Sequence, residues 1–260
     1  MAAGIPDAQI NVMPGRSLPT PIADATRPAP VRGGHYNEIY ALSPIPGKHL
    51  LAEEESYFTA TNPTIGTTVT CGLATAFSDT VAMFAIQNTW DPGDPLAKSI
   101  YLDYLDLMPS GTAPGGAVSE EFAIKLDKAS RAPTAGFVTV AAVNVDSGSS
   151  RALNAVIYGF SGGNMTVPAS SSSAKIADRI RIPIGLNVAG DLYRLQFGAA
   201  DMPACPPPLT AVRSTQPAVF VGYANPIRIR PGHWAVIHRW APTEATTAPA
   251  YEFKMALFER

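Results

Sequence analysis

In a chain of 260 residues, 46% hydrophobic but only 15% charged side chains provide material for a sizeable core and little charge to coat it. An ordinary globular domain carries about 25% charged residues, so the deficit implies a surface covered by Ser, Thr and small residues, or by neighbouring subunits. A formal net charge of -2 excludes the basic excess of a nucleic-acid binder, and 25 prolines with 21 glycines exclude a fold of long helices.

Residues 1–48 hold eight prolines (Pro6, Pro14, Pro19, Pro21, Pro28, Pro30, Pro44 and Pro46), no Phe or Trp, and no Tyr before Tyr36. Such a segment cannot bury enough apolar surface to offset its ordering entropy. Its scattered Ile5, Ile10, Val12, Leu18, Ile22 and Val31 read as contact points. The expectation is an extended arm that lies along a partner and orders on contact. No basic n-region with an apolar h-region marks a secretory signal, and no stretch approaches the roughly 18 apolar residues of a membrane span. The expected setting is a cytoplasm, with Cys71 and Cys205 as buried thiols.

Residues 49–260 are expected to form a single domain. The acidic run Glu53-Glu54-Glu55 offers the start of one helical turn, closed by Asn62-Pro63, and no other helix is expected. Strands are expected near 67–75, 79–89, 98–107, 136–145, 152–160, 191–198, 217–224, 226–230 and 233–241. The stretch Ile100 to Leu107 is apolar on both faces except at Asp103 and Asp106, which suits a central strand of a sandwich or one covered by a neighbouring subunit. The clearest alternation is at 121–127, where Phe122, Ile124 and Leu126 oppose Glu121, Lys125 and Asp127. At 175–184, Ile176, Ile180, Ile182 and Ile184 are expected to face inward and Lys175, Arg179 and Arg181 outward. At the C-terminus Tyr251, Phe253, Met255 and Leu257 oppose Glu252 and Lys254. Pro231-Gly232 predicts a type II turn, suited to a corner where the chain passes between sheets. Roughly eight to eleven strands with turns about every 8–15 residues fit a sandwich, jelly roll or barrel. The all-β fold expected is a jelly-roll-like antiparallel β-sandwich with an extended N-terminal arm.

Catalysis needs groups of unlike environment converging on one pocket, and the sequence offers no such set. His35 and His49 lie in or near the arm. His238 shares a strand face with Trp234, Val236 and Trp240 and reads as a packing residue; His233 reads as a turn residue. His233 and His238 are on opposite strand faces and cannot share a metal. Asp91-x-x-Asp94 and the pair Asp103 and Asp106 lack the ligand density of a calcium loop. As glycosidase carboxylates, Asp103 with Asp106 and Glu120 with Glu121 fail on parity, because odd spacings point to opposite faces. There is no G-x-S-x-G elbow, P-loop or dinucleotide fingerprint. No catalytic, cofactor-binding or metal residue is assigned, and no enzyme is expected. Basic residues do not cluster along the chain. Arg179 with Arg181, and Arg228 with Arg230, line separate strand faces, either solvated or set against an acidic patch such as Glu53–Glu55 of a neighbour.

Three stretches carry a resemblance. They are Leu50-Leu51-Ala52-Glu53-Glu54-Glu55-Ser56-Tyr57-Phe58-Thr59-Ala60-Thr61-Asn62-Pro63-Thr64, then Tyr101-Leu102-Asp103-Tyr104-Leu105, then Ile227 through Pro231-Gly232-His233 to Tyr251-Glu252-Phe253 and Phe258-Glu259-Arg260. In texture this resembles a group of tailed-bacteriophage virion proteins of similar length found among head genes, over most of the chain beyond residue 35. The resemblance implies a capsid cement or decoration protein on the virion surface, assembled in the host cytoplasm. The implied partners are the major capsid protein and further copies of the chain, commonly as a homotrimer, with no nucleic acid and no membrane. No site residue carries over, because no motif of the group assigns one. The alternative is a head-fibre or tail-associated receptor- or carbohydrate-binding protein, which requires Trp234, Trp240 or Tyr223 exposed in a loop-rimmed groove.

Overall fold

The computed structural model describes residues 47–109, 119–183, 191–198, 219–242 and 248–260. The expected arm lies outside these residues except for Gly47 and Lys48, as do His35, Ile184 and Cys205. Lys48 to Arg260 form one unit, and its regular structure where described is almost entirely strand, as the alternation predicts.

A short helix α1 (Gly47–Glu53) precedes β1 (Tyr57–Thr61), β2 (Val69–Thr70), β3 (Val81–Ala82), β4 (Phe84–Asn88), β5 (Ile100–Pro109) and β6 (Ser119–Asp127). Then come β7 (Phe137–Val140), β8 (Ala142–Asn144), β9 (Ala155–Phe160), β10 (Met165–Thr166), β11 (Lys175–Pro183) and β12 (Leu192–Phe197). The last are β13 (Val219–Ala224), β14 (Arg228–Ile229), β15 (Trp234–Trp240) and β16 (Ala250–Glu259). Sheet 1 has the order β13-β12-β5-β16-β1-β8, with β14 beside β5 and β2 beside β16. Sheet 2 has the order β11-β6-β15-β4-β9-β7, and β3 pairs with β10 separately.

Eight of these strands account for the topology. Taken in chain order, β1, β4, β5, β6, β11, β12, β15 and β16 pair first with last, second with seventh, third with sixth and fourth with fifth. That is one long antiparallel hairpin. Rolling it up adds the pairs β5·β16 and β6·β15, which gives the jelly-roll order. The chain between β6 and β11 is an insertion at the hairpin tip. It adds β8 to sheet 1 beyond β1, and β9 and β7 to sheet 2 beyond β4. One pair departs from the antiparallel expectation: β13 runs parallel to β12 at the edge of sheet 1. A parallel neighbour needs a crossover of a dozen or more residues, and the chain between Phe197 and Val219 supplies that length.

Three local expectations are corrected. The acidic run ends a helix instead of starting one. Ser56 N–H donates to Leu51 O at 2.9 Å and Glu55 N–H to Ala52 O at 2.9 Å, with Glu55 at φ 53°, the left-handed residue of a Schellman stop. Directly after it, Tyr57–Thr61 is a strand, not a continuation of the turn, and its Phe58 and Ala60 enter the core. In β11 the register slips between Ile176 and Asp178, so Ala177 packs against the core and Ile176 points outward, 65% exposed, while Ile180 and Ile182 face inward as expected.

Other readings stand as made. β5 is central, with β12 and β14 on one side and β16 on the other. Tyr251, Phe253, Met255 and Leu257 are buried. The turn at Pro231-Gly232 is closed by His233 N–H donating to Arg230 O at 3.0 Å, with Gly232 at φ 72°. It joins β14 of sheet 1 to β15 of sheet 2, so it is the expected corner.

Between the sheets, Phe84 meets Phe253 at 4.9 Å and Phe160 at 5.6 Å, edge to face. Each fully buried ring contributes about 1.5–3 kcal/mol. A second, smaller core lies on the outer face of sheet 2. There β3 and β10 bring Ala82 and Met165, with Val167, against Ala85, Trp234 and Val236.

Candidate functional site

On the outer face of sheet 1 a register shift decides the geometry. Tyr104 lies opposite Ala256 and Leu102 opposite Leu257, which leaves Asp103 as an extra residue in β5. The bulge cancels the odd spacing, so Asp103 and Asp106 flank the same ring, that of Tyr104. The parity argument that separates them is thereby overturned. Each carboxylate is nevertheless neutralised. Lys48 Nζ is 2.7 Å from Asp103, and the Tyr57 hydroxyl donates to the same oxygen. Arg194 donates from Nε and Nη2 to both oxygens of Asp106, at 2.6 Å each. Arg194, Lys254 and Lys48 lie over the Tyr104 ring at 4.9, 5.7 and 5.8 Å. The Asp106 hydrogen bonds hold the Arg194 guanidinium above its usual pKa. Burial, then Asp103, pushes the Tyr57 phenol far up.

Glu120 and Glu121 split as parity requires. Glu120 is buried between the sheets, accepts a hydrogen bond from the Tyr251 hydroxyl and lies 3.2 Å from Arg239 Nη2. Glu121 faces outward to Arg179 at 3.2 Å and Arg181 at 3.3 Å. That arginine pair therefore engages an acid of its own chain.

The outer face of sheet 2 is buried around its two tryptophans. Trp234 is 3% exposed and stacks with Tyr158; Trp240 is 7% exposed, with Phe77 edge-on at 5.5 Å and Arg179 over it at 5.5 Å. Tyr223 is half-buried. The groove of exposed tryptophans is absent among the described residues. His238 packs against Phe77, and its Nδ1–H donates to Val81 O at 2.7 Å, leaving the buried Nε2 without a partner. Burial, with Arg131 and Lys125 nearby, lowers its pKa against the Val81 bond and the Asp79 charge.

Arg131, fully buried, donates from Nη2 to Asp79 O at 2.8 Å and lies 3.6 Å from both the Asp79 and Asp127 carboxylates. Burial alone would raise these two acids. Hydrogen bonds from Lys125 and Ser170 to Asp79, and from Ser171 and Ala129 to Asp127, outweigh it and hold both carboxyls below the usual range.

Basic residues do gather, contrary to the reading along the chain. The corner turn sets Arg230 and His233 at the mouth of a cavity of about 300 Å³, and β14 adds Arg228. Lys175 enters because it opens β11 opposite Leu126, and Lys128 because it follows β6. Asp127 is the one acid among the described lining residues. These side chains come from three separate parts of the sequence, and no local pattern announces the grouping. Asp91 and Asp94 accept N–H bonds from Gly93 and Leu96 at 2.9 and 2.8 Å, as loop-shaping residues. Among the described residues no three His, Cys, Asp or Glu side chains gather as metal ligands.

Exposed apolar residues occur in loops, as at Ile65 and Leu96, and on each of the outermost strands. Val143 on β8 is 60% exposed and Val219 on β13 is 59% exposed, at the two ends of sheet 1. Ile176 on β11 and Phe137 on β7 occupy the corresponding ends of sheet 2. No protein-family model, curated protein or solved structure matches the chain.

Proposed function

We propose that this chain is a non-enzymatic structural virion protein, a capsid cement or decoration protein that stabilises a tailed-phage head by packing against the major capsid protein and further copies of itself. The observation that carries this reading is the division of the surface. Carboxylates with catalytic potential are held by cations of the same chain, whereas apolar side chains stand exposed on all four outermost strands of the jelly roll. Open strand edges and apolar margins are the places where another chain adds most readily. Low overall charge points the same way. Each contact contributes roughly 25 cal/mol per Å² of apolar surface buried, and several linked copies multiply weak contacts into firm attachment.

The test is cryo-electron microscopy of intact particles that contain this chain, counting its copies. Hundreds of copies in a lattice over the shell, with the four margins covered, are expected. A dozen or fewer at one vertex would overturn the cement reading and favour a fibre or adaptor.

A further inference from the structure

We propose that the cavity at the β14–β15 corner is an oxyanion-binding site that takes a sulfate or phosphate group, free or carried on a small molecule. This is independent of the packing role proposed above. The first support is unmatched charge. Elsewhere in the body Lys48, Lys125, Arg151, Arg194 and Arg239 each hold a carboxylate. At the cavity, Lys128, Lys175 and Arg230 hold none among the described residues. Asp127 does not neutralise them: its oxygens accept from Ser171 Oγ at 2.5 Å, Ser171 N at 2.8 Å and Ala129 N at 3.0 Å, and it faces Arg131. Convergent cations in a concave, partly desolvated site focus a positive potential, and charge-assisted bonds to an oxyanion are the contacts that relieve it.

The second support is a rigid frame. Gly232 N–H donates to Asn88 O at 3.0 Å, and His233 O accepts from Asn88 N at 3.0 Å. The Asn88 side chain, fully buried, donates to Lys98 O at 2.9 Å and Ile229 O at 3.0 Å. A Cβ at Gly232 would lie 2.7 Å from Pro92 Cγ, so the turn admits only glycine without a shift. The backbone that carries Arg230 and His233 is therefore held before any ligand arrives, which lowers the ordering cost of binding.

The third support is shape. A volume of about 300 Å³ exceeds a bare oxyanion and reaches the lower range of small-molecule sites. Leu126 and Ile229 add an apolar wall. A net charge of -2 over the whole chain argues for one local site, not a track for an extended phosphate backbone.

His233 reports on occupancy. Burial, Lys128 and Arg230 lower its pKa, with Asp127 opposing, and Lys175 and Arg228 face the same cavity. An anion bound among these groups favours the imidazolium, so His233 should titrate higher when the site is filled, and binding should tighten as pH falls through its pKa.

The test uses the full chain with sodium sulfate, which does not titrate in this range, at constant ionic strength set with NaCl. The His233 ring is followed by NMR and binding by calorimetry. Saturable binding with a Kd of about 1 mM is expected, together with a raised His233 pKa. The Lys128→Ala/Arg230→Ala variant should weaken binding at least about tenfold. Ser173→Glu, which places a carboxylate in the cavity, should abolish it, and Lys254→Ala on sheet 1 should leave it unchanged. These positions are exposed, and retained spectra confirm folding. Glucose 6-sulfate binding more tightly than sulfate identifies a carried group; equal affinity identifies the free ion. An absence of saturable His233 response, or a response that survives Lys128→Ala/Arg230→Ala, overturns the proposal.

Discussion

The outer faces of the two sheets carry the same kinds of side chain, aromatic rings with cations and carboxylates, and use them in opposite ways. On sheet 2 the rings of Trp234 and Trp240 lie under chain that returns over them, and Arg131 is sealed between Asp79 and Asp127. On sheet 1 Tyr101 and Tyr104 are half-buried, and Arg228, Arg194 and Lys254 lie over them from the solvent side. The insertion after β6, with β3, completes the first face from within the chain. On the second the cations reach solvent, while Asp103 and Asp106 beneath them are 7% and 6% exposed, so these pairs are half-buried. Exposed pairs contribute up to about 1 kcal/mol each, whereas removing one partner of a buried pair costs about 3–5 kcal/mol. The same residue types thus have different weights on the two faces.

Matched substitutions sharpen this contrast. Trp234→Ala is expected to cost about 3–5 kcal/mol in urea unfolding, and Tyr104→Ala about 1 kcal/mol. Equal losses would erase the distinction between the faces. Next in size, Arg131→Ala should cost about 3 kcal/mol because it leaves two acids facing each other. Arg194→Ala should cost less, about 2 kcal/mol, because Arg194 reaches solvent although Asp106 beneath it is buried.

Acid should act mainly through the sheet 2 face. Below about pH 6.5 the unfolded chain takes up a proton that buried His238 resists, so stability falls as pH drops towards its lower folded pKa. His233 adds a smaller change of the same sign. Asp79 and Asp127 contribute fully above about pH 4 and lose their contribution as pH falls further. Thermal midpoints at pH 7.5 and 5.5 should therefore differ, with the lower value in acid. His238→Gln, whose amide can still donate to Val81, should flatten that difference; an unchanged slope assigns it elsewhere. The smallest effect is expected at the helix that delivers Lys48 to sheet 1. Glu55→Gly should raise stability by up to about 1 kcal/mol by relieving the left-handed backbone.

The period of two made most of the sandwich legible, because β6 and β16 each set an apolar face against a charged one. It misled at the two bulges. One extra residue at Ala177 turned Ile176 to solvent, and one at Asp103 brought that acid to the same side as Asp106. A bulge leaves no mark in hydropathy, since it is fixed by the partner strand's register. β1 escaped notice because five residues, Tyr57–Thr61, follow an acidic run that reads as helical. The basic cavity was invisible for a different reason. Lys128, Lys175 and Arg228 to His233 meet only because β6 pairs with both β11 and β15, which is a property of topology.

The hairpin logic of the jelly roll also sets an order of events during synthesis. Among the described strands β1 is made first and its jelly-roll partner β16 last, with Tyr57 opposite Phe258. β16 is also the strand that joins β1 to β5. Until it arrives, sheet 1 consists of two separate halves with Phe58 and Leu105 lacking the neighbour that covers them. Pairing at such sequence distance is slow, and the nascent chain must carry an open apolar seam from the synthesis of β1 until that of β16. The final ten-residue strand therefore acts as a keystone, and the population of folded molecules is governed by how long the rest can wait for it.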